Sequence, residues 1–215
     1  MIRNLALGLI TSLLPGMLAA QSAPAAIEHR QADITGAMEE PPVYAPPTPA
    51  ERWRYLYNDA LSPGAFGVHA AAAGLSHAID SVPEWGQGGE GYGRRLGWVV
   101  VNNVAQSAIE SGAAAALHED TGYYRCACSG LWRRSAHALV SQITARRPDG
   151  TRGFSFSRPA GAYGGAMVAA SILPKRFTLS GDGVRDGTWN YALGFPLNLL
   201  REFWPEIRRG VFRKK

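Results

Sequence analysis

Tyr92-Gly93-Arg94-Arg95-Leu96-Gly97-Trp98-Val99-Val100-Val101-Asn102-Asn103-Val104-Ala105-Gln106-Ser107-Ala108-Ile109-Glu110-Ser111-Gly112-Ala113-Ala114-Ala115-Ala116-Leu117 is the stretch on which the fold class turns. Its alanine-rich composition predicts one long helix over about residues 92–117. Small residues recur four apart within it, as Gly93-x-x-x-Gly97 and Gly112-x-x-x-Ala116, and elsewhere as Ala70-x-x-x-Gly74 and Gly161-x-x-x-Gly165. Such spacing lets two helix backbones approach closely. The runs 65–82 and 96–117 are long enough to enter a bilayer. His69, His77, Asp80, Asn102, Asn103, Gln106 and Glu110 interrupt them, however, and a central charge costs roughly 2.5–3.5 kcal/mol in an isolated span. The expectation is an all-α, compact bundle of five or six Gly/Ala-rich helices, in water or lying on a membrane surface.

Outward from that helix the chain alternates helical stretches with Gly and Pro punctuation. Thr48-Pro49-Ala50-Glu51 combines a capping threonine, proline at the first helical position and a glutamate three residues after the cap, which predicts a helix over 49–61. Further helices are expected over 64–82, 131–145, 158–173 and 187–211. The five glycines from Gly86 to Gly93 predict a sharp irregular loop. Phe154-Ser155-Phe156-Ser157 alternates like a strand but has no evident partner, so an extended lead-in is expected there.

The amino terminus has the parts of an export signal: Arg3, a leucine-rich stretch from Leu5 to Leu18, then Ala19, Ala20, Ser22 and Ala23 as small residues for cleavage. The expected division is a signal peptide over 1–20, a disordered Pro-rich linker over 21–48 and a helical domain over 49–215. Export places the domain in the periplasm or outer envelope, membrane-associated or free. Removing residues 1–20 takes away Arg3 alone, so the net charge of +5 falls to +4. That mild excess suits an anionic membrane surface or an envelope protein or polymer, whereas export argues against nucleic acid.

Cys126 and Cys128 stand in a C-x-C arrangement. In an extended chain their α-carbons lie near the upper limit for a bridge, so two free thiols are expected, and any bridge would be easily reduced. His118-Glu119-Asp120 with Tyr123-Tyr124-Arg125 forms the densest polar cluster. A base, an orienting acid and an anion clamp could be drawn from His118, Glu119, Asp120 and Arg125. The same residues also suit the end of a helix followed by a turn. His77, Asp80 and His118 are the nearest approach to a metal-ligand set, yet no H-E-x-x-H or paired C-x-x-C accompanies them, so no metal is expected. No G-x-S-x-G elbow is present, and Gly86-x-Gly88-x-x-Gly91 follows no strand, so no cofactor is expected either. Trp85, Tyr92 and Trp204, with Arg208, Arg209, Arg213, Lys214 and Lys215, suit a membrane interface, ring in the head-group layer and cation on phosphate.

Pro83-Glu84-Trp85-Gly86-Gln87-Gly88-x-x-Gly91-Tyr92-Gly93-x-Arg95, His118-Glu119-Asp120-x-x-Tyr123-Tyr124-Arg125 and Glu202-Phe203-Trp204-Pro205-x-Ile207, in that order, resemble a family of exported bacterial proteins with no assigned activity. The resemblance covers about residues 48–212 and transfers no catalytic residue; the C-x-C departs from its pattern. The leading expectation is a non-enzymatic envelope protein that binds a membrane surface or an envelope partner. The alternatives are an envelope hydrolase using His118, Glu119 and Arg125, and a multi-span protein whose polar residues face each other.

Overall fold

A computed structural model describes residues 35–38 and 44–212. The expected leader over 1–20, most of the expected linker, and Arg213, Lys214 and Lys215 lie outside the described residues. Six helices carry the fold: α1 (Pro49–Leu56), α2 (Pro63–Ala78), α3 (Gly89–Ala116), α4 (Leu131–Ile143), α5 (Ser157–Ala170) and α6 (Val184–Phe212). The chain is the expected all-α bundle, with strands of only two or three residues.

Local chemistry sets the helix starts. Thr48 and Glu51 form a reciprocal capping box at α1, Thr48 N–H donating to Glu51 Oε2 at 2.7 Å and Glu51 N–H to Thr48 Oγ1 at 3.3 Å. A π-helical turn, Tyr57–Leu61, extends α1. Ser62 then caps α2 by accepting from Ala65 N–H at 3.1 Å. The third helix begins at Gly89, inside the stretch expected to be loop, because the irregular path is confined to Gly86–Gly88, with Gly86 at φ +69°.

Three local expectations need correction. Residues 144–146 continue from α4 as a strand, β3 (Thr144–Arg146), which pairs antiparallel with β4 (Arg152–Phe154) across the Pro148-Asp149-Gly150 turn. The extended segment therefore has a partner, in what the sequence suggested was the end of a helix. Within the expected linker, β1 (Ala37–Met38) pairs in parallel with β2 (Tyr123–Tyr124), and all four residues are buried. The methyl of Met38 fills the space where Gly122 lacks a Cβ, so this part of the linker packs as core. Finally, Cys126 and Cys128 are disulfide-bonded with a Cα–Cα distance of 5.1 Å, because the chain there is less than fully extended. Closing so short a loop restricts the unfolded chain by only about 2 kcal/mol.

The bundle is assembled pairwise: α2 packs on α3, α3 on α5, α5 on α6 and α6 on α4. The α3–α5 crossing is the most extensive. There Gly161 and Gly165 face α3 so closely that an added Cβ would lie 2.6 Å from Glu110 Cβ or 2.7 Å from Gln106 Cα. Gly97 and Gly112 share the four-residue spacing, yet nothing lies within 4 Å of where their Cβ atoms would be. One of the expected small-residue pairs therefore makes a close crossing, and spacing alone does not reveal which. Gly165→Ala should destabilise the fold by about 1–3 kcal/mol through overpacking. Gly97→Ala should stabilise it by about 0.5–1 kcal/mol through lower chain entropy. Thermal melts of the two variants check the contrast.

Candidate functional site

The interior of this bundle is polar. Its largest fully buried side chains include Arg95, Glu202 and Asn198, whereas its buried hydrophobic residues are mostly alanines, among them Ala73, Ala114, Ala138, Ala162, Ala166 and Ala169. Buried charge is expensive unless hydrogen-bonded, and three hubs here are held by networks of hydrogen bonds, although Arg95 Nε is buried without a partner.

The first is Arg95 on α3, 0% exposed. Its Nη1 donates to Gly86 O at 2.7 Å and lies 3.2 Å from His77 Nδ1; its Nη2 donates to Asp80 Oδ1 and Val82 O, both at 2.8 Å. One guanidinium thus ties the glycine loop to the end of α2 and fixes Asp80 in a left-handed conformation, φ +48°. His77 and Asp80 do converge, with Asp80 in the turn beyond the end of α2, but on the Arg95 guanidinium. His118 lies elsewhere, and no group of three potential metal ligands occurs among the described residues.

The second hub is Glu119. Its carboxylate accepts from Phe156 N–H at 3.0 Å, Ser157 N–H at 3.1 Å and Ser155 Oγ at 3.0 Å, and also from the Ser157 hydroxyl. It therefore caps the amino terminus of α5 from a distant loop. Burial alone would raise its pKa, but the hydrogen bonds from Ser157, Phe156 and Ser155 outweigh burial and hold the carboxyl below the ordinary carboxylate range. The neighbouring Asp120 accepts from Tyr124 Oη at 2.8 Å, Tyr44 Oη at 3.2 Å and Gly122 N–H at 2.9 Å. Arg158 at the start of α5 donates to Thr121 O at 2.7 Å.

The third hub is Glu202 on α6, also 0% exposed. It accepts from Tyr123 Oη at 2.8 Å, Cys126 N–H at 3.1 Å and Arg134 Nε at 2.8 Å. Burial, reinforced by the Glu202 carboxylate, pushes the Tyr123 hydroxyl well above its ordinary pKa, so it remains a donor. Arg134 also pairs with Glu206 at 2.8 Å and stacks on Phe203.

These hubs separate the expected catalytic group. Glu119 is turned onto α5. Arg125 Nε donates to Arg201 O at 3.2 Å. His118 is exposed at φ +56° and lines, with Tyr44, Arg52 and Asp120, a cleft of about 300 Å³ that neither Glu119 nor Arg125 lines. Of the interfacial candidates, Arg208 and Arg209 are exposed on α6, while Trp85, Tyr92 and Trp204 are half-buried and Tyr92 donates to Ala70 O at 3.2 Å.

The outside of the bundle is apolar where the inside is polar. Along α6, Gly187, Asn198 and Glu202 face inward, whereas Trp189, Leu193, Leu197 and Leu200 are exposed. Their spacing of three or four makes one outward stripe. On α4, Ala138, Ser141 and Gln142 are buried, while Trp132, Leu139, Val140 and Ile143 are exposed. On α2, His69 and Ala73 are buried, while Val68, Leu75 and Ile79 are exposed. Trp132 reaches 84% exposure. The ordinary amphipathic pattern of a water-soluble bundle is inverted on three helices. Sequence reasoning did not identify these outward stripes, although the spacing of three and four was there to read.

The capping role of Glu119 carries a pH signature. Because its folded pKa is depressed, its contribution is fully present above the ordinary carboxylate range and is lost as pH falls through the folded value. Glu119→Gln should lower stability by about 1–3 kcal/mol at pH 7, and the gap to wild type should narrow on acidification, as read by melts across pH. The chain matches no protein-family model, no curated protein and no solved structure.

Proposed function

We propose that this protein is a non-enzymatic envelope domain that lies in the surface of an anionic membrane, its outward stripes on α2, α4 and α6 against acyl chains. The observation that carries the reading is the inversion itself: large apolar side chains outside, hydrogen-bonded polar groups and alanines inside. Water favours the opposite distribution, and extensive exposed apolar surface marks an interaction site. A single protein interface would cover one patch. The stripes on α4 and α6 lie on a packed pair, whereas α2 rests on α3; apolar surface spread over helices of different packing pairs favours a continuous apolar medium over one docked protein.

Charge placement supports the same medium. No Asp, Glu, Lys or Arg occurs between Asp59 and Asp80, between Arg95 and Glu110, between Arg158 and Lys175, or between Asp186 and Arg201. At 1.5 Å per residue, the tract on α3 gives an uncharged band about 21 Å long. Hydrocarbon is about 30 Å thick, and among the described residues no helix is long and apolar enough to cross a membrane. An interfacial position accommodates a band of this length better than a crossing does. The exposed portions of Trp189, Leu193, Leu197 and Leu200 contribute about 3–6 kcal/mol on burial, comparable with one acyl anchor. Exposed Arg133, Arg147, Arg208 and Arg209 add attraction to anionic lipid.

Flotation with vesicles of anionic phospholipid tests the reading. The domain should float with the vesicles and stay bound in high salt, because apolar insertion is not screened as surface charge is. The paired change Leu193→Asp with Leu197→Asp should weaken binding by about tenfold or more while leaving the helical signal intact. A wild-type domain that stays monomeric in water and does not float would remove the reading. Release by salt alone would reduce it to charge attachment without insertion.

A further inference from the structure

We propose that the Cys126–Cys128 bridge is a thiol–disulfide exchange site, reduced and re-formed by a partner that carries a pair of thiols. The bridge joins residues two apart within the single segment between β2 and α4, so it staples no two elements together. Short closures restrict the unfolded chain least, and a bridge of this kind contributes little that the fold would lose on reduction.

The segment is held in place without the sulfurs. Arg125 N–H donates to Met38 O at 2.8 Å, Arg125 Nε donates to Arg201 O at 3.2 Å, and Cys126 N–H donates to Glu202 Oε2 at 3.1 Å. Downstream, His137 Nε2 lies 2.8 Å from Tyr124 O. An opened bridge would therefore leave both thiols near each other and ready to close again. Access is available as well: Cys126 and Cys128 are half-buried, and Ala127 between them is exposed. The chemistry of the neighbourhood favours a thiolate once the bridge opens. Arg125 precedes Cys126 in the chain, and Cys128 lies two positions before Gly130, the residue that opens α4.

The exchange balances in two steps. A partner thiolate attacks one cysteine sulfur, the Cys126–Cys128 bond breaks, and an intermolecular disulfide forms while the displaced cysteine thiolate takes up a proton. The partner's second thiolate then attacks that mixed disulfide. The partner leaves oxidised, and two electrons and two protons remain on Cys126 and Cys128. The reverse sequence oxidises the pair again. This inference is independent of membrane attachment, and its test uses the protein without lipid.

Full-length protein is equilibrated with glutathione buffers of increasing reducing power, and bridged and free thiols are counted by alkylation and mass spectrometry while circular dichroism follows the fold. The expected result is reversible reduction by millimolar glutathione with a melting temperature within about 5 °C of the oxidised form. Cys126→Ala and Cys128→Ala are each incubated with oxidised glutathione, and at least one should accumulate a mixed disulfide at its remaining cysteine. The proposal is overturned if the bridge resists excess dithiothreitol until the protein unfolds, if reduction itself unfolds the domain, or if neither single variant captures glutathione.

Discussion

At Gly161 and Gly165 the backbone of α5 lies so close to α3 that a methyl group would overlap Glu110 or Gln106. Gln106, Ile109 and Glu110 of α3 lie over the glycines of α5, and the buried hydrophobic residues of the two helices are mostly alanines: Ala162, Ala166 and Ala169 on α5 and Ala114 on α3. Dispersion between closely packed backbones then does what side-chain burial does in an ordinary core. On α2, α4 and α6 the large apolar residues lie outward.

The polar hubs complete the arrangement. Arg95, Glu119 and Glu202 each gather three or more hydrogen bonds from distant parts of the chain. Removing one partner from such a buried group costs several kcal/mol because the other is left unpaired, so each hub selects one loop path over its alternatives. Of the three, Glu119 looks catalytic in a linear reading. In space Glu119 is a helix cap and Arg95 is a loop anchor, and neither is available to a substrate. A bundle with a hydrogen-bonded interior and an apolar exterior suits a medium of low polarity, which is the basis of the membrane-surface proposal.

Much of the fold was legible in the chain. The capping box at Thr48 and Glu51, the breaks at Pro63 and Pro83 and the long alanine-rich helix all express local chemistry, and local chemistry is what a sequence displays directly. The β1–β2 pairing was hidden because Ala37-Met38 sits among prolines and its partner lies in another part of the chain. Thr144–Arg146 looked helical because it continues an amphipathic run, and its strand character comes from pairing with Arg152–Phe154. The composition of the His118–Arg125 cluster was plain, but its partners were not: Glu119 meets Ser155 36 positions away and Tyr123 meets Glu202 79 positions away. Spacing shows which residues share a helix face and says nothing of what that face meets, which is why Gly97 and Gly165 looked alike.

The outward orientation of the stripe tryptophans is the most direct point of test. In single-tryptophan variants on vesicles whose acyl chains carry bromine, a quencher confined to hydrocarbon, Trp189 and Trp132 should be strongly quenched. Trp98, whose indole donates to Ala169 O at 3.1 Å within the bundle, should be quenched much less. If Trp189 and Trp132 instead emit as they do in water and are untouched by the bromine, the apolar exterior does not meet lipid and the account is contradicted.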